Sequence, residues 1–288
     1  MTMIKKRLNA LLHYIDENID LHMDGESLSR VAAYSKYHFH RLFSANYGIG
    51  VTAYIRQLRL KKAIYTLAYR DTSIIDIALT CGYESPEAFS RAFKSAVGQS
   101  PSEFRKKPDW SIWYSRHQII NDIRTKTMSE KLSSQKVGIV NFPETSVAVM
   151  EHKGAPSNIG NTIRAFKEWR VNNKLSPEQY RTFNLVYADP AKVEPDEYQF
   201  DLCVEVSPNF EVQHPKMTPK IIPAGKCAYV RHIGSDDEIN AIVNYLYTNW
   251  LPENNQEIRD FPLFFERVKL FPLVPEVEAV TDIYLPLV

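Results

Sequence analysis

Apolar residues recur at helical spacing through the first hundred positions and give way to strand-like runs after about residue 137. Leu8, Leu11, Leu12 and Ile15 mark a helix over 4–17. Asp24 opens a second helix over roughly 25–33, with Leu28, Val31 and Ala32 facing inward. Ser35 stands at the N-cap of a third, about 36–47, in which Phe39, Leu42 and Phe43 form the buried stripe. Gly48 and Gly50 stop it. Ile55, Leu58, Ala63 and Leu67 then predict a long helix over about 51–69. Ser73 caps a helix at 74–81, Gly82 turns the chain, and Ser85-Pro86 opens another at 86–97.

Part of this pattern occurs twice, fifty residues apart. Tyr37-His38-Phe39-His40-Arg41-Leu42-Phe43 aligns with Glu87-Ala88-Phe89-Ser90-Arg91-Ala92-Phe93, and Gly48 with Gly98. Such a repeat is one supersecondary unit used twice. A short helix followed by a second, apolar on one face and basic on the other, is the layout of a helix-turn-helix, whose second helix enters the DNA major groove. At about 1.5 Å per residue the connecting helix spans about 28 Å. That is close to the roughly 34–36 Å between successive major-groove faces, so it reads as a spacer between two reading heads.

A second repeat lies in the other half. Phe142-Pro143 and Val147–Gly154 align, eighty residues on, with Ile222-Pro223 and Cys227–Gly234. Each copy leads into a helix, Ile159–Asn173 or Glu238–Leu251, and returns to strands. Phe183–Tyr187 aligns with Phe261–Phe265, and Asp201–Val204 with Asp282–Leu285. The expectation is an α+β domain with pseudo-two-fold symmetry and a cleft between its halves.

Length and charge sharpen this division. A chain of 288 residues has room for about two domains. Lys and Arg outnumber Asp and Glu by 17 to 11 over residues 1–117, and are outnumbered 18 to 23 over 118–288. The basic half suits a polyanion. A polar run, Ser129–Lys136, marks a flexible linker over 118–136. Cys81, Cys203 and Cys227 lack CxxC spacing and read as reduced, partly buried thiols of a cytoplasmic protein. No continuous apolar run makes a signal peptide or membrane span.

Gly82-Tyr83-Glu84-Ser85, Phe89–Lys94 and Gly98–Arg105 resemble the signature of the AraC/XylS transcription regulators, over about 4–108. Ser35–His38 and Arg41-Leu42-Phe43 are most similar to its MarA/SoxS/Rob branch. The resemblance implies base-reading positions at Tyr37, His40 and Arg41, where the branch usually has Trp and Gln at the first two. In the second unit they fall at Pro86, Glu87, Ser90 and Arg91, with Lys94 also outward. Arg41 and Arg91 suit bidentate reading of guanine. Lys36, Lys61, Lys62, Arg105, Lys106 and Lys107 suit phosphate contacts that position without specifying.

Phe264-Phe265-Glu266-Arg267, the strand–Pro–strand opening and Thr281–Pro286 resemble the GyrI-like, SHS2-type effector-binding domain, over about 137–288. That resemblance implies a pocket in which Glu266 faces aromatic walls, with Trp169, Tyr229, Tyr245, Phe264 and Tyr284 as candidates, and a small amphipathic or cationic ligand. The fold expectation is thus an all-α N-terminal DNA-binding domain (1–117), a linker (118–136) and an α+β duplicated domain (137–288). The function implied is a DNA-binding transcription activator modulated by a ligand, in stress or multidrug resistance. It would act as a monomer on promoter DNA with RNA polymerase as partner. Two alternatives remain: the second domain as a protein-contact module without ligand, or as a GyrI-like hydrolase. Since no Ser/His/Asp order, HExxH or P-loop is present, a non-enzyme is expected, with no cofactor or metal.

Overall fold

A computed structural model describes residues 2–132, 136–190 and 192–288. It divides into two compact units, Met1–Lys131 and Leu132–Val288. No described helix is long and apolar enough to cross a membrane.

The first unit is helical: α1 (Met3–Glu17), α2 (Gly25–Val31), α3 (Lys36–Tyr47), α4 (Val51–Tyr69), α5 (Ile74–Thr80), α6 (Pro86–Val97), α7 (Pro101–Lys106) and α8 (Ser111–Ser129). Local chemistry sets the ends. Asp24 accepts from the Ser27 amide at 2.7 Å, and Ser73 and Ser85 accept from Asp76 and Ala88 at 3.1 Å. These oxygens satisfy amides that helix geometry leaves without partners. Ser35 takes the N-cap place of α3, but its side chain makes no capping hydrogen bond. Gly48 and Gly98 close α3 and α6 at φ +70° and +84°, the left-handed region where a side chain is strained.

Two cores form, and two helices serve both. Leu8, Leu11, Leu28, Phe39 and Phe43 pack with Val51, Tyr54 and Leu58 from the first half of α4. Leu60, Ala63, Ile64 and Leu67 from its second half pack with Ile77, Phe89, Phe93 and Phe104. α8 repeats this division: Trp113 joins the second core, and Ile120 and Ile123 join the first. This corrects the reading of 118–136 as flexible linker. Ser111–Ser129 is one helix, and Arg124 reaches back to Asp16 at 2.8 Å. Ahead of the polar run, an apolar stripe at Trp113, Ile120 and Ile123, spaced seven and three apart, buries one face of this helix. Residues 133–135 of that expected linker lie outside the described residues.

The second unit contains β1 (Gly138–Phe142), β2 (Thr145–Lys153), α9 (Ile159–Asn172), β3 (Thr182–Val186), β4 (Gln199–Glu205), β5 (Thr218–Ile222), β6 (Gly225–Ile233), α10 (Ile239–Tyr245), β7 (Leu263–Lys269) and β8 (Val280–Pro286). α10 runs on through a π turn, Leu246–Trp250. The strands form one antiparallel sheet, β1-β6-β8-β7-β3-β4-β2-β5. That order is two-fold about the β3/β7 pair, with β1 and β5 each exchanged to the edge of the other half. The registers also correct one expected alignment. Leu185 and Glu266 sit opposite Asp201 and Asp282, so Phe183 corresponds to Phe264 and not to Phe261. Pro262 has no amide to give a ladder, and β7 starts after it.

Strand alternation gives the sheet two faces. On one, His152 Nδ1 is 2.8 Å from Thr162 Oγ1 of α9, and Arg170 of α9 donates to Thr182 Oγ1 at 2.6 Å. On the other, Val147, Val149, Phe183, Leu185, Cys203, Phe264 and Tyr284 form a core that carries the cleft.

Candidate nucleic-acid interface and ligand cleft

The buried stripes of α3 and α6 decide which residues face outward. Phe39 and Phe43, and Phe89, Phe93 and Val97, are fully buried. Lys36, Tyr37 and Arg41 on α3 are therefore exposed, Tyr37 by 87%. Glu87, Arg91 and Lys94 are exposed on α6, with Ser90 half-buried. Arg41 and Arg91 make no ion pair within the chain among the described residues. His40 differs from its expected outward place. It is half-buried, its ring centroid is 5.2 Å from that of Phe39, and its Nε2 lies 3.0 Å from where a side chain on Gly25 would begin. It packs under the start of α2.

Three expected phosphate contacts are buried or engaged elsewhere. Lys61 is buried at 3% exposure. Lys62 Nζ sits 2.5 Å from Asp20 Oδ1. Arg105 donates to the Thr72 carbonyl at 2.5 Å, while Lys106 and Lys107 are exposed.

In the second unit a cleft of about 360 Å³ opens on the sheet face away from α9. Val140, Phe142, Tyr229, Arg231, Glu266, Val268, Asp282 and Tyr284 line it from β1, β6, β7 and β8, and Arg181 leans in from just before β3. The charged groups form a row across the strands: Arg231, Asp282, Glu266, Arg181. Arg231 Nε and Nη2 both lie 2.7 Å from Asp282 oxygens. Arg181 grips Glu266 the same way, at 2.8 and 2.7 Å. Glu266 and Asp282 are direct cross-strand partners, an arrangement of like charges that is unfavourable unless each is neutralised. The two bidentate pairs supply that neutralisation.

The rings complete the site. Tyr284 stacks on Phe264 at 5.0 Å, and its hydroxyl reaches Glu266 at 3.3 Å. Tyr229 donates to Asp282 at 3.1 Å. The Arg181 guanidinium lies 4.8 Å from the Phe183 ring centre and 5.5 Å from that of Phe142. Hydrogen bonding to Glu266 raises the Arg181 pKa above its ordinary value, and hydrogen bonding to Asp282 raises that of Arg231. Burial pushes the Tyr284 phenol up, and the neighbouring Glu266 charge adds to it.

Of the residues expected in this pocket, Glu266, Tyr229 and Tyr284 line the cleft. Phe264 lies beneath it, fully buried under Tyr284. Trp169 and Tyr245 do not line it: Trp169 packs on Phe210 from α9, and Tyr245 ends α10. Aromatic character alone does not distinguish a helix residue that covers one face from a strand residue on the other. Arg181, Arg231 and Asp282 were not foreseen as lining residues. The recurrence of Asp201 and Asp282 inside apolar strands was the usable signal, since such residues are rarely buried unless paired. The three cysteines are buried and free, and burial pushes Cys81 up to about 12 and Cys227 up to about 11.

Residues 135–288, more than half of the chain, match a family described as the GyrI-like small molecule binding domain. The chain belongs to the GyrI-like family. Residues 28–107 match a helix-turn-helix domain, which makes this GyrI-like protein an AraC-type transcription regulator. It is similar to the probable transcriptional regulator YgiV of Escherichia coli, with 32% identity over 152 residues that cover 52% of this chain and 95% of that protein. It is similar to the right origin-binding protein of Escherichia coli, with 36% identity over 106 residues, 37% of each chain. The EcmrR chain of a cryo-EM EcmrR–DNA complex aligns at 15% identity and a TM-score of 0.46, covering 92% of this chain and 99% of that one.

Proposed function

We propose that this regulator is a ligand-responsive transcription activator. It reads promoter DNA with α3 and α6 and holds a small amphipathic ligand in the cleft. The observation that carries the ligand half is the composition of that cleft: aromatic rings from Phe142, Tyr229 and Tyr284 beside four charges held in two ion pairs. An apolar body lies against the rings while a polar end meets the ion pairs, the usual division of labour in a small-molecule site. An organic cation seated on Glu266 has first to displace Arg181, which already supplies a guanidinium between that carboxylate and two rings. β1, one wall of the cleft, is the first strand after α8, and α8 enters both helix-turn-helix cores. A bound ligand shifts activity only if it favours one state of the chain over the other. The regulon we assign is tolerance of toxic amphiphiles, with RNA polymerase as the partner on the promoter and the chain acting as a monomer.

The test is a thermal-shift screen of the full chain against neutral, anionic and cationic amphiphiles, repeated with Arg181→Gln. A saturable rise from at least one class supports the reading. Removal of Arg181 should raise affinity for cations at least tenfold. No shift from any class, in a well-folded chain, would remove the ligand and leave a protein-contact role.

A further inference from the structure

The two halves of the sheet place equivalent residues by register, and the comparison singles out two valines. Asp201 pairs with Glu151 and Leu185, and Asp282 pairs with Arg231 and Glu266. From these anchors Lys220 matches Val140. Lys220 pairs with Val147 and Val140 with Cys227, each four residues before Glu151 and Arg231 respectively. Tyr187 and Val268 correspond by position along the strand, each two residues beyond Leu185 and Glu266, and Val268 sits at the irregularity where β7 shifts register against β8.

In the first half, Lys220 Nζ lies 2.7 Å from Asp201 Oδ2 and 2.8 Å from Glu151 Oε1. It is 5.8 Å from the centre of the Tyr187 ring, whose hydroxyl donates to the same Asp201 oxygen at 2.8 Å. An alkylammonium and a phenol from the chain itself therefore fill the place in front of the buried aspartate. In the second half both side chains are shortened to valine, and Val140 and Val268 line the open cleft in front of Asp282.

We propose that the cleft is the duplicate of a seat that Lys220 and Tyr187 plug in the first half, and that Val140 and Val268 hold it open and set what it admits. This rests on the reading of the cleft as a ligand site. The plug outlines the occupant: one aromatic ring with a short chain ending in a polar group. The charges refine it. Arg231 stands where the first half has Glu151, and Arg181 already neutralises Glu266. The seat therefore takes an uncharged or zwitterionic aromatic amphiphile and has no carboxylate left to reward a simple cation.

Fluorescence titration of the full chain with the neutral probe N-phenyl-1-naphthylamine tests this. Circular dichroism and melting report whether each variant is folded. The wild-type chain should bind one equivalent. Val140→Lys with Val268→Tyr should weaken binding at least tenfold without lowering the melting temperature, because it adds groups to open space and breaks no ion pair. Tyr187→Val with Lys220→Val should bring a second equivalent. Unchanged affinity in the folded closing variant overturns the plug and leaves the ligand reading standing. A wild-type chain that binds nothing, beside an opened variant that binds one equivalent, keeps the plug and overturns the ligand reading. No binding to either folded chain overturns both. Lys220 removal exposes buried Asp201, so if the opened variant fails to fold, the closing variant decides.

Discussion

In the helical unit, the two copies agree where they are buried and differ where they are exposed. Phe39/Phe89 and Phe43/Phe93 recur in the cores and Gly48/Gly98 at the turns, while exposed Tyr37 stands against exposed Glu87 and half-buried His40 against half-buried Ser90 in the alignment. Arg41/Arg91 is an exposed side chain that is kept. In the sheet unit, buried Asp201/Asp282 and His152/His232 recur, and the differences gather at the cleft: Lys220 against Val140, Glu151 against Arg231, Leu185 against Glu266. Duplication kept what each frame needs in both cases. In the helical unit divergence changed what two open faces read. In the sheet unit it left a cleft lined by one set of side chains and placed charged side chains and a phenol in front of the other aspartate.

The largest expected effect breaks the shared frame of the helical copies. Ile123→Ala empties part of the first core and should cost about 2–5 kcal/mol in denaturant unfolding of the helical unit. A segment acting as a free linker would show no loss. Next, Arg41→Ala and Arg91→Ala should each cost about 1–3 kcal/mol in DNA binding and relax preference at one base pair. An equal loss on every sequence would make them phosphate contacts. Smaller again is the difference between the two N-caps. Ser85→Ala should cost about 1 kcal/mol, and Ser35→Ala less, because only Ser85 accepts a capping bond. Equal costs in thermal melts would contradict this.

The smallest effect concerns pH in the sheet unit. Hydrogen bonds from Lys220 and then Lys153 hold the Glu151 carboxyl below its ordinary value of 4.5. Its folded value is depressed, so its contribution is present above 4.5 and is lost as pH falls through the folded value. Glu151→Gln should therefore lower the melting temperature at pH 6 and make no difference once the pH lies below the folded value. A gap that persists unchanged at low pH would show that the side chain acts through packing and not through charge.

The helices were legible in the sequence because their caps and stripes are local: the expected ends of α3, α4 and α6 coincide with those of the structure. α8 was hidden because its few apolar residues are spaced widely among polar ones, and only the partners they meet show that they are core. Strand existence was readable, but the β7 register needed the ladder that starts after Pro262. Glu266 could be placed through its neighbours in sequence. Its partner Arg181 is 85 residues away in the chain, and nothing local to either residue signals that they meet.

The measurement that bears most directly on the account is selection of binding sites from random duplex DNA with the full chain. Two reading heads on one spacer helix predict a bipartite site, two enriched blocks about 10–10.5 base pairs apart centre to centre. Arg91→Ala should relax preference at one position within one block and leave the other block unchanged. A single enriched block with the wild-type chain, unaffected by Arg91→Ala, would contradict reading by both helices.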